Sequence, residues 1–228
     1  IGGFKILLAA NGVVTVEFPH LLNLMRENQF DTIYHEHFSY FSFLTAEALF
    51  AAHGLRVFDV EKLTTHGGSL RIYGCHMDAR FPTTPHVDEL LAEERAAGLD
   101  DIATYSGFEK KVHKVKWGVL SFLLRAKEQR KTVAAFGAAA KGNTLLNYCG
   151  VGPEFIEYVV DSNPHKQGLF LPGSRIPIYP PDHIHETRPD YVLILPWNLS
   201  GEITAAHDYV KSWGGQFVVP VPEVRIVG

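Results

Sequence analysis

Only two of the 228 residues are cysteine, two are methionine and three are tryptophan, and these shortages narrow the field first. Cys75, in a strand pattern, and Cys149, at the end of a helix pattern, fit reduced thiols in a reducing compartment. The recurrent Cys or His spacing that makes a zinc site credible from sequence is lacking. No apolar run approaches membrane-span length and no secretory signal opens the chain, so a cytoplasmic protein with no membrane partner is expected. Positive charge is in short supply: 21 Lys and Arg stand against 25 Asp and Glu, for a net charge of -4. Nucleic acid is therefore not expected as a partner. The Gly-x-Gly-x-x-Gly dinucleotide fingerprint is missing. Gly137 to Gly142 is not a P-loop either, because its glycine and lysine stand in the reverse order.

What is present is ordinary globular composition, 46% hydrophobic and 20% charged, arranged as two α/β blocks. Phe4 to Ala10 reads as the last turns of a helix, Asn11-Gly12 as its stop, and Val13 to Phe18 as a buried strand. Such a start resembles the middle of a parallel α/β sheet, so we expect an N-terminal portion to be missing from this sequence. A helix from Leu21 to Glu27 follows. Ser42 to His53 is a second helix, closed by Gly54, and Leu55 to Val60 and Ser69 to Gly74 form an antiparallel hairpin. From Val87 the chain turns helical, and Phe108, Val112, Val115, Val119, Phe122, Leu123 and Ala126 mark one buried stripe. The opposite face, with Lys110, Lys111, Lys114, Lys116 and Arg125, is either solvated or binds an anionic partner.

A second βα pattern begins at Thr132. Strands are expected at Thr132 to Phe136, Ile156 to Val160, Asp190 to Leu195 and Gln216 to Val219, with a helix starting at Asn143 and another from Glu202 to Trp213. The domains are therefore expected at 1–78, 79–131 (connecting helices) and 132–228. Ligands of such sheets gather at the carboxyl ends of the strands. That singles out Gly137 to Thr144, Asp161 to Lys166, and Trp197-Asn198. Tight strand-to-helix packing accounts for the glycines and alanines of the first loop and leaves Lys141 and Asn143 over, for a phosphate or sugar. Asp161 stands at a distance suited to a ribose contact, which without the fingerprint is weak support for NAD.

The most chemical stretch is Asn28 to Tyr40, which sets Tyr34, His35, Glu36 and His37 among aromatic residues. A neutral imidazole is well suited to take a proton near neutral pH, a carboxylate can fix its tautomer, and a phenol can donate to an oxyanion. In an extended segment Tyr34, Glu36 and Phe38 would face one way and His35 and His37 the other. Any cooperation of Glu36 with His37 thus requires a turn. Two further readings remain open here: His35-x-His37 as metal ligands, completed by His20 or His66, and half-buried histidines satisfied by backbone carbonyls. His66, in a glycine-flanked turn, is a second candidate for the substrate cleft.

Taken together, Val16 to His20, Asn28 to Tyr40, Thr65 to Arg71, Gly137 to Tyr148, Val160 to Gly168, Leu171-Pro172-Gly173 and Leu195 to Leu199 closely resemble the nucleotide-sugar C-methyltransferase family. The resemblance implies an α/β chain in which the remnant of a Rossmann-like methyltransferase sheet precedes a second Rossmann-like α/β domain. It implies S-adenosylmethionine as methyl donor, a nucleotide-linked ketosugar as substrate, and zinc only in an N-terminal module that this sequence lacks. No metal site is expected within the chain itself. By the same resemblance His37 is the base, with Glu36 and Tyr34 positioning and polarising the ketosugar. From their places in the turn and at the strand ends, His66, Lys141, Asn143, Thr144, Trp197 and Asn198 are expected to face substrate. Without the glycine-rich turn that cradles the donor, the chain alone is expected to be inactive. A noncatalytic nucleotide-binding or regulatory module is the alternative, with a metal-dependent hydrolase built on His35 and His37 as a third reading. The sequence leaves the oligomeric state open.

Overall fold

The computed structural model describes residues 1–227, and the side chain of His66 lies outside the described residues. The chain forms two compact units: Ile1–Glu27 with Phe38–Glu109, and Asn28–His37 with the chain from Lys110 onward. The helical stretch 79–131 is thus divided at Glu109/Lys110, and the His-rich segment belongs to the second unit.

In the first unit, helix α1 (Gly2–Leu7) precedes strand β1 (Val14–Pro19), helix α2 (Leu21–Arg26) and helix α3 (Phe43–Ala52). The Ser42 hydroxyl accepts from the Thr45 amide at 3.1 Å and caps α3, as a serine before an apolar run should. Strands β2 (Leu55–Leu63) and β3 (Ser69–His76) form the expected hairpin, and β1 pairs with β3 on its other side, giving the order β1-β3-β2. Both outer strands run antiparallel to β3 and hence parallel to each other. β1 is not the buried strand its composition suggests: Val14, Val16 and Phe18 are half-buried while Thr15 and Glu17 are exposed. The reason is that an antiparallel sheet can leave one face to water.

Phe43, Phe50, Leu55, Leu70 and Ile72 are all within 2% of full burial and form the core of this unit with Val87 and Leu90 of helix α4 (Pro85–Ala96). Inside that core, Glu94 accepts from His20 Nε2 at 2.7 Å and from the amides of Phe43 and Leu44 at 2.8 Å each. Its carboxyl thereby closes the start of α3, where helix N–H groups have no internal partner. A short helix α5 (Ile102–Ser106) leads to helix α6 (Phe108–Glu128). Along α6 the predicted stripe is buried from Val112 to Ala126, while Lys110, Lys111 and Lys114 are exposed.

The second unit carries a six-stranded sheet, separate from the first, in the order β6-β5-β4-β7-β8-β9. Its strands are β4 (Val133–Phe136), β5 (Val159–Val160), β6 (Ile178–Tyr179), β7 (Tyr191–Ile194), β8 (Gln216–Val219) and β9 (Arg225–Val227). All pairs are parallel except β8 with β9. Helices α7 (Ala140–Cys149), α8 (His183–Thr187) and α9 (Ser200–Ala206) connect them. Phe122 of α6 meets Tyr191 of β7 edge-on at 5.0 Å. The architecture is the Rossmann-like α/β fold that the sequence pattern implies.

Two expectations about helices are corrected here. α7 starts at Ala140 and not at Asn143, because Gly142 lets the helix approach Leu195 so closely that a Cβ there would lie 2.5 Å from the leucine's own. The helix expected from Glu202 to Trp213 is broken at His207, whose ring bonds the Tyr209 hydroxyl at 3.0 Å, and continues as a 3-10 helix (Asp208–Trp213). Strands β6 and β9 carry no sequence signal, being two and three residues long.

Candidate functional site

The segment Asn28–His37 is built as an anchor followed by a turn. Gln29, Phe30, Asp31 and Thr32 are all at most 5% exposed, and Phe30–Thr32 forms a single 3-10 turn. Phe30 packs edge-on against Tyr148 of α7, with ring centroids 5.2 Å apart, and Lys116 sits over the Tyr148 ring at 4.9 Å. Beyond the anchor, the His37 amide donates to the Tyr34 carbonyl at 3.0 Å and closes a tight turn.

That turn replaces the extended geometry under which Tyr34 and His37 face opposite ways. The His37 Nε2 and the Tyr34 hydroxyl are 3.2 Å apart, and the two rings meet edge-on at 4.9 Å. Both side chains are half-buried. Glu36 lies at the turn's exposed corner and carries no hydrogen bond or ion pair among the described residues, so Tyr34 is the ring's hydrogen-bonding neighbour here. His35 is exposed, its ring 6.3 Å from that of Tyr34.

A second group gathers at the carboxyl ends of β4, β5 and β7. Gly137, at φ +89°, turns the chain out of β4, and a Cβ on it would lie 2.6 Å from Pro196 Cδ. Lys141 lies in the first turn of α7. Its ammonium is 4.8 Å from the centroid of the Trp197 ring and donates to Asn198 Oδ1 at 3.2 Å. Burial holds Lys141 below the usual lysine range, against the pull of the Asp31 carboxylate. The Thr144 hydroxyl donates to the Ala140 carbonyl at 3.1 Å, and Asn143 Oδ1 accepts from Asn147 at 3.2 Å. Asp161 is occupied within the chain and not held out for a ribose: its two oxygens accept from the amides of Ala138, at 2.7 Å, and Asn163, at 2.8 Å.

Asp31 joins the two groups, and sequence reasoning passed over it. Its side chain has no exposure, Oδ2 accepts from the Trp197 indole N–H at 2.6 Å, and Oδ1 is buried with no partner among the described residues. Burial pushes its pKa up to about 6, opposed by the Trp197 hydrogen bond and by the charge of Lys141. A single carboxylate between Phe30 and Thr32 has no spacing to betray it. The only signal was an acid inside an aromatic-rich run.

Among the described residues, no group of three or more His, Cys, Asp or Glu could hold a metal ion. His35 and His37 thus acquire no further ligands among the described residues. No helix of the described residues is long and apolar enough to cross a membrane. The substrate role expected for His66 lies outside the described residues.

Two comparisons bear on this arrangement. Residues 64–222 match the model of a family described as C-methyltransferase C-terminal domain. The chain is also 42% identical over 227 residues to the C-methyltransferase NovU of Streptomyces niveus. That alignment covers 100% of this chain and 54% of the relative, so the chain spans about half the length of the protein it matches.

Proposed function

Since the chain belongs to the C-methyltransferase C-terminal domain family, we propose that it serves C-methylation of a nucleotide-linked ketosugar at a carbon next to the ketone. The observation that carries this reading is the pairing of His37 Nε2 with the Tyr34 hydroxyl at 3.2 Å in a half-buried turn. Carbon methylation beside a ketone requires removal of an α-proton and stabilisation of the enolate that forms. In this reading His37 takes the proton, and Tyr34, bonded to it, polarises the carbonyl oxygen. Lys141, held over the Trp197 ring, meets the pyrophosphate of the substrate, with Asn143 and Thr144 near the same helix start. Glu36 is left to contact substrate from the turn's exposed corner.

S-adenosylmethionine is the methyl donor this chemistry calls for. Among the described residues no strand of the three-stranded sheet ends in a glycine-rich turn opening a helix, the feature that holds such a donor. β1 passes into α2 through His20, which Glu94 holds at 2.7 Å. The residues here do not fit the donor, and what they contribute is the proton chemistry and the grip on substrate.

The test is methyl transfer by the full-length protein from labelled S-adenosylmethionine to a panel of nucleoside-diphosphate-linked ketosugars. A methyl group on the carbon next to the ketone supports the reading. Transfer to oxygen or nitrogen overturns it, and nucleotide binding with no transfer across the panel favours the regulatory-module alternative.

A further inference from the structure

The ten residues Asn28–His37 are flanked in sequence by the first unit and yet belong to the second. Inside the segment, short hydrogen bonds run almost without interruption: Thr32 to Gln29 at 3.1 Å, Ile33 to Phe30 at 3.0 Å, Tyr34 to Thr32 at 3.1 Å and His37 to Tyr34 at 3.0 Å, each from amide to carbonyl. The position of the His37 ring is therefore fixed from the anchor outward. Among the described residues, side-chain contacts with Tyr148 and Trp197 of the six-stranded domain hold that anchor. One is the apolar edge contact of Phe30 on Tyr148, which has no directional bond. The other is the Trp197 indole N–H on Asp31, directional and fully buried on the acid side. A third, from the Asn28 amide to the Pro222 carbonyl, is long at 3.4 Å.

Burying a carboxyl with one oxygen unpartnered costs free energy, and the cluster holds it by a single neutral donor. The bond that is kept ties the loop following β7 to the segment that carries the base. We propose that Asp31 and Trp197 are positioning residues: their hydrogen bond lets the C-terminal α/β domain set the place of the Tyr34–His37 pair. This rests on the reading of His37 as the base. It gives that domain a part in the proton-transfer step in addition to the grip on substrate, and it gives the Trp197 loop a task besides contacting ligand.

The experiment uses the full-length protein with 13C-labelled histidine. The His37 signal is assigned by its loss in His37→Gln. Packed edge-on against Tyr34 at 4.9 Å, the His37 ring carries a ring-current displacement that reports its position relative to Tyr34. Asp31→Asn keeps an acceptor for the indole N–H and leaves the signal in place. Asp31→Leu, and independently Trp197→Phe, which retains a ring face for Lys141 while removing the donor, lose the displacement. In both, the amide spectrum of the six-stranded sheet stays unchanged. A His37 signal unmoved in Trp197→Phe with the fold intact overturns the proposal, as does equal loss in Asp31→Asn. Either outcome leaves the assignment of the base standing. Conversely, an unaltered proton-transfer rate in His37→Gln removes the base and leaves the tie standing.

Discussion

Trp197 donates its indole N–H to one oxygen of Asp31 at 2.6 Å while the other oxygen of that carboxyl is buried with no partner among the described residues. Burial disfavours the charged form in the folded chain, and the pKa rises from 3.8 to about 6. The folded state binds the proton more tightly than the unfolded one. The resulting stability is fully present below about pH 4 and is lost as pH rises through about 6. A shift of this size corresponds to about 3 kcal/mol at most. Asp31→Asn should flatten the stability profile between pH 4 and 6 and be the more stable protein at pH 7, as read from urea midpoints. Parallel profiles for the two proteins would contradict this.

Glu94 gathers three donors in the core of the first unit. Glu94→Ala strips a partner from the His20 ring and from the amides that open α3, so it should lower stability by about 3 to 5 kcal/mol. Urea denaturation checks this. Loss below about 1 kcal/mol would mean that water satisfies those groups.

Gly137 occupies a left-handed conformation, and Pro196 closes the space where a Cβ would stand. Gly137→Ala combines backbone strain with a clash and should cost more than 1 kcal/mol. Gly150, also at positive φ but with nothing within 4 Å of a Cβ, is the control. Gly150→Ala should be the milder change in the same thermal or urea measurement.

Lys141 is the cation that the proposed reading places against a pyrophosphate. Lys141→Ala should weaken binding of inorganic pyrophosphate by about tenfold to a hundredfold, the range of a charge-assisted hydrogen bond, with the effect shrinking as salt is raised. Calorimetry on the full-length protein reads it. Unchanged affinity would remove Lys141 from the substrate contacts.

Much of this architecture was legible in the residues. Apolar periodicity revealed α6 and its buried stripe, Gly54 marked the end of α3, and the alternation of Leu55 to Val60 and Ser69 to Gly74 gave the hairpin. The short strands β6 and β9 lie below the length at which alternation can be read, and the start of α7 was hidden because Gly142 looks like a turn residue until Leu195 is seen beside it. At the site, the residue types were legible but their facing was not. Period-two reasoning separates Tyr34 from His37, and only the bond from the His37 amide to the Tyr34 carbonyl brings them to one side. Asp31 was invisible because its role is set by Trp197, 166 residues away in sequence.

The most direct test of the central claim is exchange of the substrate's α-proton into deuterated solvent by the full-length protein, on the ketosugar from the panel that accepts the methyl group. The wild-type protein should wash deuterium into the carbon beside the ketone. His37→Gln should slow that exchange by at least about a hundredfold, the lower range for a positioned general base, while leaving nucleotide-sugar affinity nearly unchanged. Exchange at the unaltered rate in His37→Gln would show that the proton goes elsewhere, with His35 and His66 the next residues to replace.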